Sequence, residues 1–271
     1  MAISCVKLDR GLHVIHLFYR IDRAKWLGLA ESERVAAREE LERLCKTNNH
    51  PCAPRITTYA NVGGKADLVF FILARELAEA GSLHQQAAGC FPPGVLQSIF
   101  TYFSVTELSE YTTSDEENQQ MLMRDEKLEL GSEAFNKRID EIRTRMAQYE
   151  HYRLYPELPE WEVMAFYPMT KKREGADNWY SLSFDARKKL MGGHARVGRK
   201  YGGRISQLIT GSTGLDDWEW GVTLMAHQVD AIKEIVYEMR FDDVTARYGD
   251  FGPFFVNLRL QPSDLWEYLR L

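Results

Sequence analysis

The sequence predicts an α+β protein made of two ferredoxin-like units, each with the element order β-α-β-β-α-β. Strand-like apolar runs alternate with amphipathic helix patterns. The whole order occurs twice, with corresponding elements about 150 residues apart, as at Arg55 and Arg204. Helices cover one face of each sheet, so the other faces must pack on something, and two fused units can pair their sheets as a barrel. Sequence identity between the two halves is slight, so they match only in the pattern of their secondary-structure elements.

The first unit is predicted over residues 1–111. Its two central strands flank a glycine turn at Gly63 and Gly64, which favours a hairpin. Its predicted elements are a strand in 12–18, a helix over 31–44, the two hairpin strands within 55–73, a helix over 74–83 and a strand over 99–108.

The second unit is predicted over residues 153–271. Its elements are a strand over 160–169, a helix over 184–201, strands over 204–212 and 218–226, a helix over 229–239 and a strand over 252–260. Pro168 is expected to end the regular pairing of the first of these strands. The apolar residues expected on one stripe of the last helix are Val229, Ile232, Ile235, Val236 and Met239.

Residues 112–152 connect the two units. The stretch 112–131 is rich in acidic residues and is interpreted as a flexible linker or a subunit contact, and 132–150 as a connecting helix.

Composition indicates an ordinary globular protein, with 45% hydrophobic and 27% charged residues in 271. No apolar run is long enough for a membrane span, and the N-terminal segment lacks the apolar region of a secretory leader. The four cysteines show no metal-binding spacing, which favours reduced thiols and no separate metal site. We therefore expect a cytoplasmic enzyme or binding protein.

Charge is unevenly distributed around a net value of −5. Residues 171–204 contain ten Lys or Arg against three Asp or Glu. An acidic chain with one basic segment is a poor candidate for general nucleic-acid binding, which needs a broad positive face. The segment suits a polyanionic small molecule; the alternative is a solvated helix face.

His194 lies on the apolar side of its predicted helix, because Leu190 and Met191 precede it by four and three residues. Such a histidine is often a core residue with one hydrogen bond. The adjacent Gly192 and Gly193 weaken the helix and remove side chains where a flat macrocycle could approach. The functional interpretation is therefore an imidazole ligand to haem iron.

Gln207 interrupts a row of isoleucines, since it shares a strand face with Ile205 and Ile209. It either meets a hydrogen-bond partner in the core or stands over a ligand as a neutral polar group.

Tyr167 shares a predicted strand face with apolar residues and is followed by the basic triplet Lys171, Lys172 and Arg173. Nearby cations favour an ionised or hydrogen-bonded phenol and could bind carboxylates. Packing alone is the alternative for Tyr167, and stabilisation of the helix dipole is the alternative for Arg240, which ends its helix. The residues sharing the predicted strand face with Tyr167 are Trp161, Val163, Ala165 and Met169.

The second half resembles the chlorite dismutase superfamily, most closely its coproheme decarboxylase branch of the Firmicute type. The resemblance is strong over about residues 153–260 and weaker in the first half, where it rests on element order. The segments that carry it, in order, are FYPMTKKR, ADNWY, GRKY, QLITGS, DDWEWGVTL and VYEMRFDDVTARYG.

The resemblance implies a dimeric α+β barrel within each chain and assembly as a homopentamer. It implies that His194 is the axial ligand to the iron of coproheme (iron coproporphyrin III), which serves as substrate and redox cofactor. Tyr167 would be oxidised to a radical that abstracts a hydrogen from a propionate, and Lys171 would assist the second decarboxylation. The remaining implied substrate contacts are Arg153, Met169, Gln207, Arg240 and Thr245.

The implied reaction is the hydrogen-peroxide-dependent conversion of two propionates to vinyls, giving haem b, with a transient contact to a coproporphyrin ferrochelatase. Gln207 decides between branches, because chlorite-degrading members have an arginine there and glutamine supplies no positive charge. Thr245 departs from the serine common in the Firmicute pattern. The alternatives are a haem carrier or sensor without turnover and, less favoured, a chlorite dismutase or haem peroxidase.

Overall fold

A computed structural model describes residues 5–271 and places the predicted elements in the predicted order. The strands are β1 (His13–Ile21), β2 (Arg55–Asn61), β3 (Leu68–Ala74), β4 (Leu96–Thr106), β5 (Val163–Lys171), β6 (Ser206–Gly211), β7 (Trp220–Ala226), β8 (Gly249–Phe251) and β9 (Phe255–Arg259). The helices are α1 (Arg23–Gly28), α2 (Glu31–Thr47), α3 (Leu77–Gly89), α4 (Asp115–Arg124), α5 (Glu133–Leu154), α6 (Phe184–Lys200), α7 (Val229–Met239), α8 (Asp243–Tyr248) and α9 (Pro262–Leu269). The first four residues of the segment used to argue against a leader lie outside the described residues.

The strands form one antiparallel sheet that closes on itself. The order is β4-β1-β3-β2 in the first half and β6-β7-β5-β9 in the second, which is the same ferredoxin-like order. The halves are joined by β2 pairing with β9 and β4 pairing with β6. Because each outer strand of one half pairs with the other half, the ring is complete. The predicted fold of two ferredoxin-like units in one barrel is confirmed.

Aromatic side chains from both halves fill the inside of this barrel. Phe18 of β1 stacks on Phe255 of β9 with ring centroids 4.0 Å apart, and Phe166 of β5 stacks on the fully buried His16 at 4.1 Å. The inward side chains of β5 are thus used for the core. Its outward side chains, which include Tyr167, face the helical layer of the second half.

The acidic connection is more ordered than a flexible linker. Residues 115–124 form α4, which begins with a capping box at Ser114 and Glu117. Leu122 of α4 is fully buried against Phe135 and Ile139 of α5. The interpretation of the whole acidic stretch as flexible is therefore wrong.

Three local expectations are also corrected. Strand β5 continues through Pro168 to Lys171, with Pro168 opposite Gly221 of β7, because losing one donor does not stop the strand. Trp161 precedes β5 and packs with the barrel interior instead of sharing a face with Tyr167. Val229 begins α7 and is exposed, so the buried stripe of that helix starts at Ala231.

The short elements after α7 were not predicted. Helix α8 and strand β8 follow directly, and β8 pairs with the end of β5 from Met169 to Lys171. This pairing fixes the strand end that carries the basic triplet. Within the described residues, no helix is both long and apolar enough to cross a membrane.

Candidate functional site

Helix α6 lies over the outer face of the second-half sheet without a tightly packed underside. Ser183 caps its first turn by accepting a hydrogen bond from the Ala186 N–H at 3.3 Å. All its residues, Phe184–Lys200, are described, and none of them is buried. A seventeen-residue helix normally buries an apolar stripe, whereas the apolar residues of this one, such as Leu190 and Val197, are only partly covered by their neighbours.

His194 projects from α6 and meets a carboxylate. Its Nδ1 lies 2.8 Å from Oδ2 of Asp242, at the junction of α7 and α8. In the neutral tautomer whose Nδ1–H donates to this carboxylate, the lone pair is on Nε2, which is the form of imidazole that ligates a metal. The ring is partly accessible, with 28% of the side chain exposed.

Asp242 is held by the chain around it. Its other oxygen, Oδ1, accepts a hydrogen bond from the Thr245 N–H at 2.8 Å, which caps α8. Burial acts to raise the pKa of Asp242, but hydrogen bonds from His194 and Thr245 outweigh it and lower the pKa below its usual value. Thr245 therefore helps to hold Asp242, the carboxylate that pairs with His194. Asp242 was not among the predicted site residues.

Tyr167 lies on the outer face of β5, together with Val163 and Ala165 as predicted. It is 5% exposed and stacks on Phe254 with ring centroids 4.4 Å apart. Burial raises the pKa of its phenol above the usual value, and the positive charge of Arg240 only partly opposes this. The phenol is therefore protonated at neutral pH.

Lys171 lies on the same face, four residues further along the strand. The residue is 8% exposed and its Nζ lies 5.0 Å from the centroid of the Trp179 ring. Burial lowers the pKa of the ammonium to about 8, against the opposing charges of Asp242 and Glu219. Lys171 can therefore exchange a proton close to neutral pH.

Gln207 lies on the outer face of β6, below α6. A side-chain carbon placed on Gly198 would come within 3.3 Å of Gln207 Nε2, so helix and strand approach closely there. His194 is one helical turn before Gly198 and shares its side of the helix. Gln207 thus lies directly beneath α6 as a neutral group.

The two predicted arginines lie at different places. Arg240 stacks over Phe251 at 4.0 Å from the ring centroid, beside the Tyr167 ring system. Arg153, near the end of α5, donates to the carbonyls of Glu107 (3.2 Å) and Ile209 (3.3 Å). Its Nε is buried and has no hydrogen-bond partner among the described residues.

The structure groups most of the predicted residues around the outer face of the second-half sheet. Tyr167 packs beside Arg240, while Lys171 is electrostatically close to Asp242, the partner of His194. Met169 lies between Tyr167 and Lys171 on β5. Arg153 is tied to Ile209, two residues beyond Gln207 on β6.

A second carboxylate, the buried Glu219, was also missed. It binds the backbone N–H of Lys171 (3.2 Å) and the hydroxyl of Tyr180 (2.5 Å). It also accepts from the side chains of Thr170 and Arg173. In the sequence it stands between two tryptophans, a pattern that gives no sign of these four partners.

The fold and site together define a duplicated ferredoxin-like barrel with a histidine–carboxylate pair beside an open helix face. The chlorite dismutase family profile matches residues 34–260, and the chain belongs to that family.

Comparison with solved structures agrees with this assignment. A haem-binding protein from Thermus thermophilus is 35% identical, with a TM-score of 0.79 over 99% of this chain and 98% of that one. A mutant chlorite dismutase from Candidatus Nitrospira defluvii is 17% identical, with a TM-score of 0.70 over 97% and 98%. The chlorite dismutase from the same organism in complex with imidazole also gives 0.70 at 17% identity, over 97% of each chain. At this low identity the last two similarities concern the fold.

Proposed function

We propose that this chain is a coproheme decarboxylase that uses hydrogen peroxide to convert two propionates of iron coproporphyrin III into vinyls, yielding haem b. Family membership and the similarity to a haem-binding protein support a haem-related function. The choice of this reaction rests on the buried Tyr167 and Lys171 on one face of β5.

The residues present fit an iron porphyrin. His194 has a carboxylate at Nδ1 and would hold the iron through Nε2. A side-chain carbon added at Gly192 or Gly193 would meet nothing within 4 Å, so there is room beside the histidine. Arg153 and Arg240 would bind propionates by charge-assisted hydrogen bonds. The bound porphyrin iron supplies the reactivity toward peroxide.

Each decarboxylation is a two-electron oxidation. A propionate loses a hydrogen from the carbon next to the ring and its carboxyl group as carbon dioxide, which leaves a vinyl. One hydrogen peroxide accepts the two electrons with two protons and becomes two waters. Tyr167, as a protonated phenol, would give up an electron and a proton and then take the hydrogen from the propionate.

Lys171 would act at the second propionate. Four residues along a strand span about 13 Å, so Lys171 and Tyr167 would meet different parts of one large substrate. An ammonium whose pKa is about 8 can bind a carboxylate and also exchange a proton near neutral pH.

The buried tyrosine is the observation that carries the proposal. A haem carrier or sensor needs an iron ligand and groups that bind the propionates, but it needs no redox-active phenol beside them. Gln207 favours decarboxylation over chlorite chemistry, because a neutral amide gives a developing oxyanion no positive charge.

The proposal is tested by replacing Tyr167 with Phe, which removes one hydroxyl and keeps the ring. Tyr237→Phe is the matched control, because that tyrosine is 63% exposed on α7. Each protein is loaded with iron coproporphyrin III, titrated with peroxide and followed by mass spectrometry of the porphyrin. Wild type and Tyr237→Phe should lose two carboxyl groups stepwise, whereas Tyr167→Phe should bind coproheme and slow the first step by at least about 100-fold.

A Tyr167→Phe protein that decarboxylates at the wild-type rate would exclude the proposed radical role. A wild-type protein that binds coproheme and consumes peroxide without a change in porphyrin mass would indicate a peroxidase. Binding without peroxide consumption would indicate a carrier or sensor.

We further propose a cytoplasmic homopentamer that receives coproheme by transient contact with a coproporphyrin ferrochelatase. The proposed chain organisation is a first unit over 1–111, a connection over 112–152 and the haem-binding unit over 153–271. Native mass spectrometry of the purified protein tests the pentamer, and a monomer or dimer at working concentration would exclude it.

A further inference from the structure

Glu219 is a buried carboxylate that the proposed reaction does not use directly. It lies just before β7, where its N–H donates to the Met169 carbonyl at 3.1 Å and its carbonyl accepts from the Ser212 N–H at 2.8 Å. The residue is 5% exposed. Both its backbone groups are therefore paired with neighbouring segments, and its side chain is held below the surface.

The Glu219 carboxylate is bound by four donors from two segments. Three come from the end of β5 and the residues after it, namely the Thr170 hydroxyl, the Lys171 N–H and the Arg173 guanidinium. The fourth is the Tyr180 hydroxyl, from the 3₁₀ turn Trp179–Ser181. Burial acts to raise the pKa of Glu219, but these hydrogen bonds outweigh it and lower the pKa below the usual value. The residue is thus a charged anchor.

We infer that Glu219 is a positioning residue for the second decarboxylation, because it fixes the backbone of Lys171 and the Trp179 ring beside the Lys171 ammonium. This inference rests on the proposed function and adds a residue to it. Glu219 acts through Lys171 and is not assigned a contact with substrate.

The anchor reaches both sides of Lys171. The hydrogen bond to the Lys171 N–H fixes where the side chain leaves the strand. The bond to Tyr180 holds the turn that begins with Trp179, whose ring lies 5.0 Å from Lys171 Nζ. Without the Glu219 carboxylate, both the Lys171 backbone and the Trp179 ring are free to shift. A displacement of about 1 Å at a catalytic group can slow a reaction about 100-fold.

Glu219 also contributes to the charge around Lys171. The acidic groups facing the ammonium are Asp242 from the α7–α8 junction and Glu219 from the segment before β7. Of the neighbouring cations, Arg173 is neutralised by Glu219, and Lys172 follows Lys171 directly in the sequence. Removing the charge of Glu219 leaves Asp242 as the facing acid and exposes the ammonium to an unpaired Arg173.

The test is Glu219→Gln, which keeps the shape of the side chain and removes its charge. Asp217→Asn is the matched control, because it makes the same change two residues away at an exposed position whose carboxylate has no cation partner among the described residues. Full-length proteins are loaded with iron coproporphyrin III. The rates of the first and second decarboxylations are measured by mass spectrometry at a series of pH values.

Glu219→Gln should slow conversion of the one-vinyl intermediate by about 10-fold and leave the first step within about 2-fold of wild type. The limb of the second-step pH profile that reports Lys171 is identified by its absence in Lys171→Met. In Glu219→Gln this limb should move to lower pH by about one unit, because an acid facing the ammonium is lost. Asp217→Asn should match wild type in both respects. Glu219→Asp, which restores the charge, should return the limb toward its wild-type position.

A purely structural role predicts a different result. If Glu219 only braces the loop, Glu219→Gln will lower thermal stability and slow both steps equally, with an unmoved pH profile, and the inference is wrong. If Glu219→Gln does not fold, Tyr180→Phe gives the same test by removing one donor from the anchor. Its second step should slow selectively, and equal slowing of both steps would reject the inference.

Failure of this inference is distinguishable from failure of the proposed function. Wild-type protein that does not decarboxylate coproheme rejects the proposed function and, with it, the role of Glu219. Wild-type protein that decarboxylates twice while Glu219→Gln behaves like Asp217→Asn rejects the role of Glu219 alone.

Discussion

Helices α2 and α6 occupy corresponding places in the two halves, yet they are packed in opposite ways. Each has seventeen residues and follows the first strand of its half. Helix α2 buries four residues in the first-half core, which includes residues of the sheet and of α9; they are Ala37, Leu41, Leu44 and Cys45. Helix α6, described over its full length, buries none.

The difference shows that the first half uses this helix to cover its core, whereas the second half leaves its helix only partly packed. Leu41 is completely buried, whereas the corresponding side of α6 presents His194, Val197 and Gly198 to the sheet. A histidine and a glycine on this side give up hydrophobic stabilisation that larger apolar side chains would supply. Under the proposed function, a bound porphyrin would bury this face, so substrate binding would stabilise the second half.

The largest predicted effect follows removal of the imidazole from α6. His194→Ala should weaken coproheme binding by at least about 100-fold, and Asp242→Asn by about 10-fold, because the carboxylate orients the ring. The measurement is a titration followed by the porphyrin absorption band. The control is His227→Ala, since His227 also pairs through Nδ1 with a carboxylate, Glu162, at 2.6 Å, but at an exposed site.

The His227→Ala protein should bind coproheme like wild type. An unchanged absorption spectrum and affinity in His194→Ala would place the iron ligand elsewhere and remove the proposed reason for the open face of α6.

The second prediction compares the two helices by stability. Leu41→Ala in α2 should lower the free energy of unfolding by about 2–5 kcal/mol, because it opens a cavity in a packed core. Val197→Ala in α6 should cost less than about 1.5 kcal/mol without porphyrin, because Val197 is only partly buried. Urea unfolding of the porphyrin-free proteins measures both values. Equal losses would show that α6 is packed as tightly as α2.

The third prediction concerns two histidines in contrasting surroundings. His16 is fully buried inside the barrel, where Nε2 lies 2.9 Å from the Thr223 hydroxyl, whereas His194 is partly exposed and faces a carboxylate. Burial lowers the pKa of His16 from 6.5 to about 3, so the unfolded chain binds a proton that the folded chain does not. Its contribution to stability is complete above pH 6.5 and is lost progressively as pH falls toward 3.

His16 should therefore account for a loss of about 1.5 kcal/mol in unfolding free energy as pH falls from about 6.5 to about 5. His16→Gln should remove this slope, and His50→Gln, at an exposed position, should keep it. The measurement is urea unfolding at several pH values. A slope that persists in His16→Gln would assign the acid sensitivity to other groups.

Much of the fold was predictable because its signals are local. The glycines at Gly63 and Gly64, the alternation in the strands and the repeated element order need no distant partner to be recognised. The pairings that close the barrel, such as Tyr59 with Arg259, join residues far apart in sequence. Nothing in either strand specifies that partner, so barrel closure was expected from the general packing of ferredoxin-like sheets.

The candidate site residues fall into the same two groups, those with a local sequence signal and those whose partners are distant in the sequence. Tyr167, Lys171 and His194 were singled out as candidates because each is unusual within its own apolar pattern and because the surrounding motifs resemble a known family. Asp242 and Glu219 were missed because their importance comes from partners elsewhere in the chain. Asp242 carried one usable signal, since an aspartate at the start of a short helix predicts a cap. The same signal does not predict that its second oxygen meets His194.

The smallest predicted effect concerns the two glycines before His194. Both have ordinary helical positions, and a side-chain carbon at either would meet nothing within 4 Å. Alanine favours a helix over glycine by about 1 kcal/mol, so Gly192→Ala and Gly193→Ala should each stabilise the porphyrin-free protein by about that amount. Gly192 is exposed, whereas Gly193 is half-buried next to the histidine. Only Gly193→Ala should weaken coproheme binding, by about 3-fold, because its methyl group narrows the space beside the imidazole. Unfolding and binding titrations on the same two proteins test this, and equal affinities would show that the porphyrin does not approach α6 at Gly193.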